Sequence, residues 1–170
     1  AFYIARSGRP GPVVLDFAKN AQTAVIDYQP QSIDFIRSYK PVHTPSDETI
    51  RKAAEMINES VKPFMLVGQG VELAGANKEL LELCEKAQIP FGQTMLGLSA
   101  APSDHPLNMG MLGMHGKLAP NVIANQCDLL IAVGMRFDDR VTGNLDTYAK
   151  QAKVIHFDID ASEIDKNVKT

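Results

Sequence analysis

Pro63-Phe64-Met65-Leu66-Val67-Gly68-Gln69-Gly70 decides how this chain folds. Four consecutive apolar residues with no polar alternation read as a short strand buried on both faces. Glycines follow at once, where the chain must turn tightly out of a sheet. Upstream, Ser46 caps a helix whose inward face is Ile50, Ala53, Ala54, Ile57 and Val61 at helical spacing, and Pro63 ends it. Downstream, a second helix starts near Asn77 and turns Leu80, Leu83, Cys84 and Ala87 inward. Residues 89–94 read as the next strand, and 118–125 as a helix with Pro120 in its first turn. Residues 128–133 and 154–158 are two more apolar strands.

Helices alternating with fully apolar strands imply a parallel sheet covered on both faces. Crossovers of this kind are right-handed, so the expected fold is a Rossmann-like, doubly wound α/β sheet. Outside this alternation the signals change. Residues 1–6 read as the last turn of a helix stopped by Ser7-Gly8. Residues 13–17 (VVLDF), after Arg9-Pro10-Gly11-Pro12, read as a buried strand. Pro30, Pro41 and Pro45 break up the following stretch, which reads as an extended linker. Residues 95–116 form a long loop rich in Gly, Met and Pro. The expected division is a remnant of a preceding domain over 1–20, a linker over 21–45, and a complete α/β domain over 46–170. The first residue is Ala1 and both ends stop abruptly, as in a piece of a longer protein.

Composition excludes several classes. Across 170 residues, 45% are hydrophobic and 22% charged, which fits a globular chain rather than a disordered one. Asp+Glu 20 against Lys+Arg 17 leaves no basic excess for a nucleic-acid backbone. No apolar run approaches the ~20 residues of a bilayer span. Cys84 and Cys127 lie far apart with no CxxC, and His43, His105 and His156 share no metal-ligand spacing. A reducing, cytoplasmic setting is the expectation.

Ligands of open parallel sheets bind outside the carboxyl ends of the strands. Here those ends carry Gly68-Gln69-Gly70, Thr94-Met95, Gly134 through Arg140, and Asp158-Ile159-Asp160. Glycines there let backbone N–H groups approach a phosphate, arginines supply forked donors, and an acid can accept from ribose hydroxyls. A nucleotide is the expected ligand class. The dinucleotide fingerprint is incomplete: Leu73 replaces its third glycine, and Gln93-Thr94 stand where its acid belongs. Gly110-Met111-Leu112-Gly113-Met114-His115-Gly116 reads as a loop shaped for close approach, its methionines suited to an apolar channel or a flat ring. Asp138 and Asp139 are adjacent, and one of them should pair with Arg136 or Arg140 rather than form a hydrolytic pair. No nucleophile elbow, HExxH or P-loop lysine is present, so the chain by itself reads as a binding site and not a reaction centre.

The segments Ser7-Gly8-Arg9-Pro10-Gly11-Pro12-Val13, Leu112-Gly113-Met114-His115-Gly116, Arg136-Phe137-Asp138-Asp139-Arg140-Val141-Thr142-Gly143 and His156-Phe157-Asp158-Ile159-Asp160 resemble, in order, those of the acetohydroxyacid (acetolactate) synthase large catalytic subunits. These belong to the thiamine-diphosphate enzymes. The resemblance runs along nearly the whole chain and corresponds to the last strand of the first domain, the linker and the central domain. It implies an enzyme that condenses two 2-oxoacids with loss of carbon dioxide: pyruvate with pyruvate, or with 2-oxobutyrate, toward branched-chain amino acids. It implies thiamine diphosphate and Mg2+ bound outside this chain, since the family's catalytic glutamate lies upstream and its GDG…NN motif is absent. The chain alone is therefore expected to be inactive. It also implies FAD without a net redox role, held by Arg9, Gly68, Gly70, Thr94, Met95, Gly113, His115, Gly134, Arg136, Asp138, Val141, Asp158 and Ile159. Lys19, Met114 and Arg140 would face substrate, with Gln69, Ala18 and Asn20 departing from the family pattern. A homodimer or tetramer, with a separate small regulatory subunit, is the implied assembly. A stand-alone nucleotide-binding module remains the alternative from another class. Glyoxylate carboligase and pyruvate oxidase are alternatives within the enzymes, against which RFDDRVTG argues.

Overall fold

The structure is a computed structural model that describes every residue except Gln31, Asp34, Val42 and His43. His43, among the histidines weighed for metal binding, thus lies outside the described residues. The chain divides into two compact units, residues 1–44 and 45–170.

The larger unit is a sheet of five parallel strands in the order β3-β2-β1-β4-β5. They are β1 (Pro63–Val67), β2 (Phe91–Gln93), β3 (Asn108–Met111), β4 (Leu129–Val133) and β5 (Lys153–Phe157). Helix α3 (Asp47–Glu59) precedes β1, α4 (Gln69–Leu73) and α5 (Asn77–Ala87) link β1 to β2, and α6 (Leu118–Ala124) leads into β4. The four-residue α7 (Asp139–Thr142) follows β4. This is the doubly wound α/β sheet that the alternation of elements implies.

Period-2 geometry sorts the core into two layers. Phe64, Leu66, Leu130 and Ala132 face one side with Ala124, Cys127, Phe137 and Tyr148. Met65, Val67, Leu129 and Ile131 face the other with Val71, Leu80, Cys84 and Phe91. The side chains Phe64 to Val67 are wholly buried, and each contributes roughly 1.5–3 kcal/mol relative to exposure. Burial pushes the Cys84 thiol up to about 12 and the Cys127 thiol to about 11, so both stay protonated, unpaired and chemically quiet.

Four sequence expectations give way. The loop over 95–116 contains a strand, β3, built from Asn-Met-Gly-Met; no local pattern marks it, and its pairing with β2, with an irregular register, makes it one. Helix α3 turns Met56 and Ile57 to the core, while Ile50 and Val61 stay largely exposed. The helix has ended by Ser60, so the periodicity cannot be extended to Val61. In α5 the core face is Leu80 and Cys84, with Leu83 and Ala87 exposed. Residues 13–17 are no strand: among the described residues they pair with nothing, and Val14, Leu15 and Phe17 are exposed.

In the smaller unit, α1 (Phe2–Arg6) stops at Ser7 and Gly8, with Gly8 at φ +59°, as read from the sequence. The Tyr39 hydroxyl donates to the Ser7 carbonyl at 2.9 Å, and its ring packs edge-on against Tyr3. The linker therefore folds back onto the first turn. It is also not wholly extended, since α2 (Lys19–Thr23) interrupts it.

Candidate functional site

Because all five strands are parallel, their carboxyl ends share one edge of the sheet. Backbone bonds stitch that edge together: Thr94 N–H donates to Val67 C=O (2.9 Å), Gly68 N–H to Val133 C=O (2.9 Å), and Gly134 N–H to Phe157 C=O (2.8 Å). Gly68, Gly70, Thr94, Met95, Gly134, Arg136, Asp138, Asp158 and Ile159 are thereby collected on one edge. The loop after β3 adds Gly113, Met114 and His115, and α7 adds Arg140 and Val141. Arg9 and Lys19 are exposed residues of the other unit.

The glycines of this edge serve a purpose the sequence did not indicate. A Cβ on Gly68 would lie 2.2 Å from the Gly134 carbonyl oxygen, and one on Gly70 would lie 2.6 Å from the Gly134 Cα. Gly70 N–H donates to Gly134 C=O at 2.9 Å. The turns after β1 and β4 are thus packed backbone to backbone at the point where strand order reverses. The N–H groups of Gly68, Gly70 and Gly134 are spent on the protein itself, so they do not form the phosphate cradle read from the sequence.

Charge on the edge is carried by arginines braced by acids. Arg136 lies 3.7 Å from Asp138, and Arg140 3.9 Å from Asp139, so each aspartate serves its own arginine. Asp138 also caps α7 by accepting the Arg140 N–H at 3.1 Å. Asp158 is mostly buried: it accepts the Asp160 N–H at 2.8 Å and lies 3.7 Å from His156 Nε2. That same Nε2 donates to the Met135 carbonyl at 2.8 Å, tying β5 to the residue before Arg136. Burial opposes a charge on His156, but Asp158 and the Met135 carbonyl outweigh it and hold the imidazole above its ordinary range.

Between these charges the edge is apolar and open. Met95, Met114 and Ile159 are 60%, 58% and 53% exposed, and Leu96 and Leu98 follow Met95 in the chain. Exposed methionines with a braced guanidinium suit a flat ring system bearing phosphates, with Arg136 and not the glycine amides as the donor. A cavity of about 270 Å³ is lined by Met114, Asn121, Asn125, Arg140, Thr142 and Tyr148. Among the described residues, no three His, Cys, Asp or Glu side chains converge as a metal site. Among the described residues, no helix is long and apolar enough to cross a membrane.

Two residues that are not among the expected site residues organise the edge. Gln93, at the position where the dinucleotide fingerprint has its acid, is buried. Its amide donates to the Gly97 and Leu98 carbonyls (2.9 and 3.2 Å) and accepts from Asn108 (2.9 Å). Asn121 on α6 grips Gly113 in the loop before it. A polar amide at the end of an apolar strand was a readable sign for Gln93; Asn121 gave none, because its partner lies across a loop.

The family model described as "Thiamine pyrophosphate enzyme, central domain" matches residues 50–170. The chain belongs to this family. The chain is 47% identical to the acetolactate synthase large subunit of Corynebacterium glutamicum over 98% of its own length and 26% of that protein. It is 46% identical to acetolactate synthase isozyme 1 large subunit of Escherichia coli, over 98% and 29%. Acetolactate synthase of Arthrospira platensis is 45% identical, over 100% and 30%. The chain thus spans under a third of the length of these curated relatives. Among solved structures, one described as a thiamin diphosphate-dependent enzyme from Mycobacterium smegmatis matches 65% of this chain and 21% of its own, with a TM-score of 0.53 and 28% identity.

Proposed function

We propose that this chain is the central domain of an acetolactate synthase large subunit that condenses pyruvate with pyruvate or with 2-oxobutyrate. The observation that carries this reading is the joining of Met114 to Arg140. Met114 N–H donates to the Arg140 carbonyl at 2.8 Å, and the two side chains line one cavity. An apolar side chain beside an exposed guanidinium suits an acceptor with a short alkyl group and a carboxylate. In this reading Arg140 holds the acceptor carboxylate and Met114 contacts its alkyl group.

FAD would be held by Arg136, braced by Asp138, with Met95, His115, Val141 and Ile159 against its apolar parts and Thr94, Gly113 and Asp158 completing the set. Gly68, Gly70 and Gly134 contribute by shaping the edge. When bound, thiamine diphosphate with Mg2+ supplies the electron sink for decarboxylation, from domains outside this chain. The chain's own part is to bind and orient. Residues 1–20 are read as the end of a first domain, 21–45 as linker and 46–170 as the central domain; the division near residue 45 and the family match over 50–170 support this. A homodimer or tetramer with a separate small regulatory subunit is part of the same reading, and relatives named large subunits support the existence of a second, smaller subunit. The buried, unpaired thiols support a reducing, cytoplasmic setting.

The test has two arms. The full-length enzyme, supplied with thiamine diphosphate, Mg2+ and FAD, should form acetolactate from pyruvate and acetohydroxybutyrate when 2-oxobutyrate is added. The 170-residue chain is titrated with FAD, using NAD as control. Saturable FAD binding weakened by Arg136→Ala supports the reading, whereas preferential NAD binding, or a full-length enzyme that forms neither product, overturns it.

A further inference from the structure

Asn121 makes three hydrogen bonds with one amide. Its Oδ1 accepts the Gly113 N–H at 2.9 Å, and its Nδ2 donates to the Gly113 carbonyl at 3.1 Å and to the Lys117 carbonyl at 2.9 Å. The Lys117 bond is an ordinary contact within the turn of α6. The pair at Gly113 is different: a side chain from the following helix satisfies both backbone groups of one loop residue, as a neighbouring strand would. Gly113 has φ +96°, and a Cβ there would lie 2.8 Å from the Arg140 carbonyl oxygen. The next amide, that of Met114, is delivered to that same carbonyl. Asn125 backs the arrangement, donating to the Asn121 carbonyl and accepting the Ala149 N–H, each at 2.9 Å.

We propose that Asn121 is a positioning residue for acceptor selection, clamping Gly113 so that Met114 and Arg140 keep their relation at the cavity all three line. The proposal rests on the reading that Met114 and Arg140 face the second oxoacid. Asn121 does not touch the acceptor in this role; it sets the backbone from which Met114 projects. A helix-only role would act through Lys117 and leave Gly113 indifferent.

Asn121→Asp tests the clamp in the full-length holoenzyme; it removes the donor to the Lys117 carbonyl as well, so the readouts at the loop, and not the substitution, tell the two roles apart. It keeps the shape and the acceptor for Gly113 N–H, but sets a carboxylate oxygen against the Gly113 carbonyl. Repulsion at the Gly113 carbonyl should loosen the loop, so amide exchange at Met114 should quicken by about tenfold, with β1 and β4 unchanged. In competition between pyruvate and 2-oxobutyrate, the ratio of the two products should shift by about fivefold. Unchanged exchange at Met114 overturns the proposal, and so does a fall in both products with their ratio preserved. Should the aspartate variant fail to fold, Asn121→Ser, too short to span to Gly113, gives the same readouts. A wild-type enzyme that forms no acetohydroxyacid from pyruvate removes the underlying reading and this role with it. The exchange measurement on its own shows whether the clamp exists.

Discussion

Met114 and Arg140 are joined through the backbone and not through their side chains. The Met114 N–H donates to the Arg140 carbonyl at 2.8 Å, while the guanidinium only grazes the thioether, with Nη1 4.0 Å from Sδ. Loop position and side-chain chemistry are therefore separable at this point.

Arg140→Lys should accordingly leave the loop in place and change only what the side chain offers. Its side chain is 70% exposed, so stability should move by less than about 0.5 kcal/mol. In the full-length enzyme, use of 2-oxobutyrate relative to pyruvate should change by about tenfold, the scale of one charge-assisted hydrogen bond. Product ratios measured at fixed total substrate check this, and an unaltered preference removes Arg140 from the acceptor site.

Gly134→Ala should be costly for two reasons. Gly134 has φ +59°, and its added Cβ would lie 2.6 Å from the Gly70 Cα. Gly75 has φ +65° but nothing within 4 Å of such a Cβ. The backbone cost alone is about 1 kcal/mol, so Gly75→Ala measures that part. Gly134→Ala should cost about 2–3 kcal/mol, the excess reporting the contact with Gly70. Equal losses in urea denaturation of the two variants would show that the turns after β1 and β4 are not tightly packed.

Gln93→Leu should destabilise by about 1–3 kcal/mol although leucine is the more apolar residue, because buried carbonyls at Gly97 and Leu98 lose their donor. Asn108 at the start of β3 loses its acceptor too, so faster amide exchange should be confined to residues 94–111. Exchange that quickens equally throughout the sheet would contradict this local role.

Asp128 gives the fold a dependence on acid pH. Its carboxylate accepts from the Ser60 hydroxyl and from the Val61 and Lys62 amides (2.7 and 2.9 Å), which holds it below its ordinary pKa of 3.8. A carboxyl depressed in the folded state contributes its full stability above the ordinary value and loses it as pH falls through the folded value. The group is half-exposed, so solvent screening limits the contribution to about 1 kcal/mol. Asp128→Asn should lower the melting temperature at pH 7, and the gap to the wild type should narrow as pH falls from 7 to below 3.8. A gap between the two proteins that stays constant across this range would contradict the linkage.

The sequence by itself determined the succession of elements and the class of sheet. Phe64 to Val67 and Leu129 to Val133 are apolar without alternation, and only a strand covered on both faces tolerates that. Placing Gly68, Thr94, Gly134 and Asp158 on one edge followed, since parallel strands end on the same side. Tertiary structure alone decided how those residues are used. The glycines meet one another, Gln93 turns inward to loop carbonyls, Asn121 reaches back to Gly113, and Asn-Met-Gly-Met becomes a strand beside β2. Each outcome depends on a partner many residues away or across a loop, while periodicity and spacing report only the face of the element that carries them. Residues 13–17 show the same limit from the other side: a strand's residues without a pairing strand make extended chain.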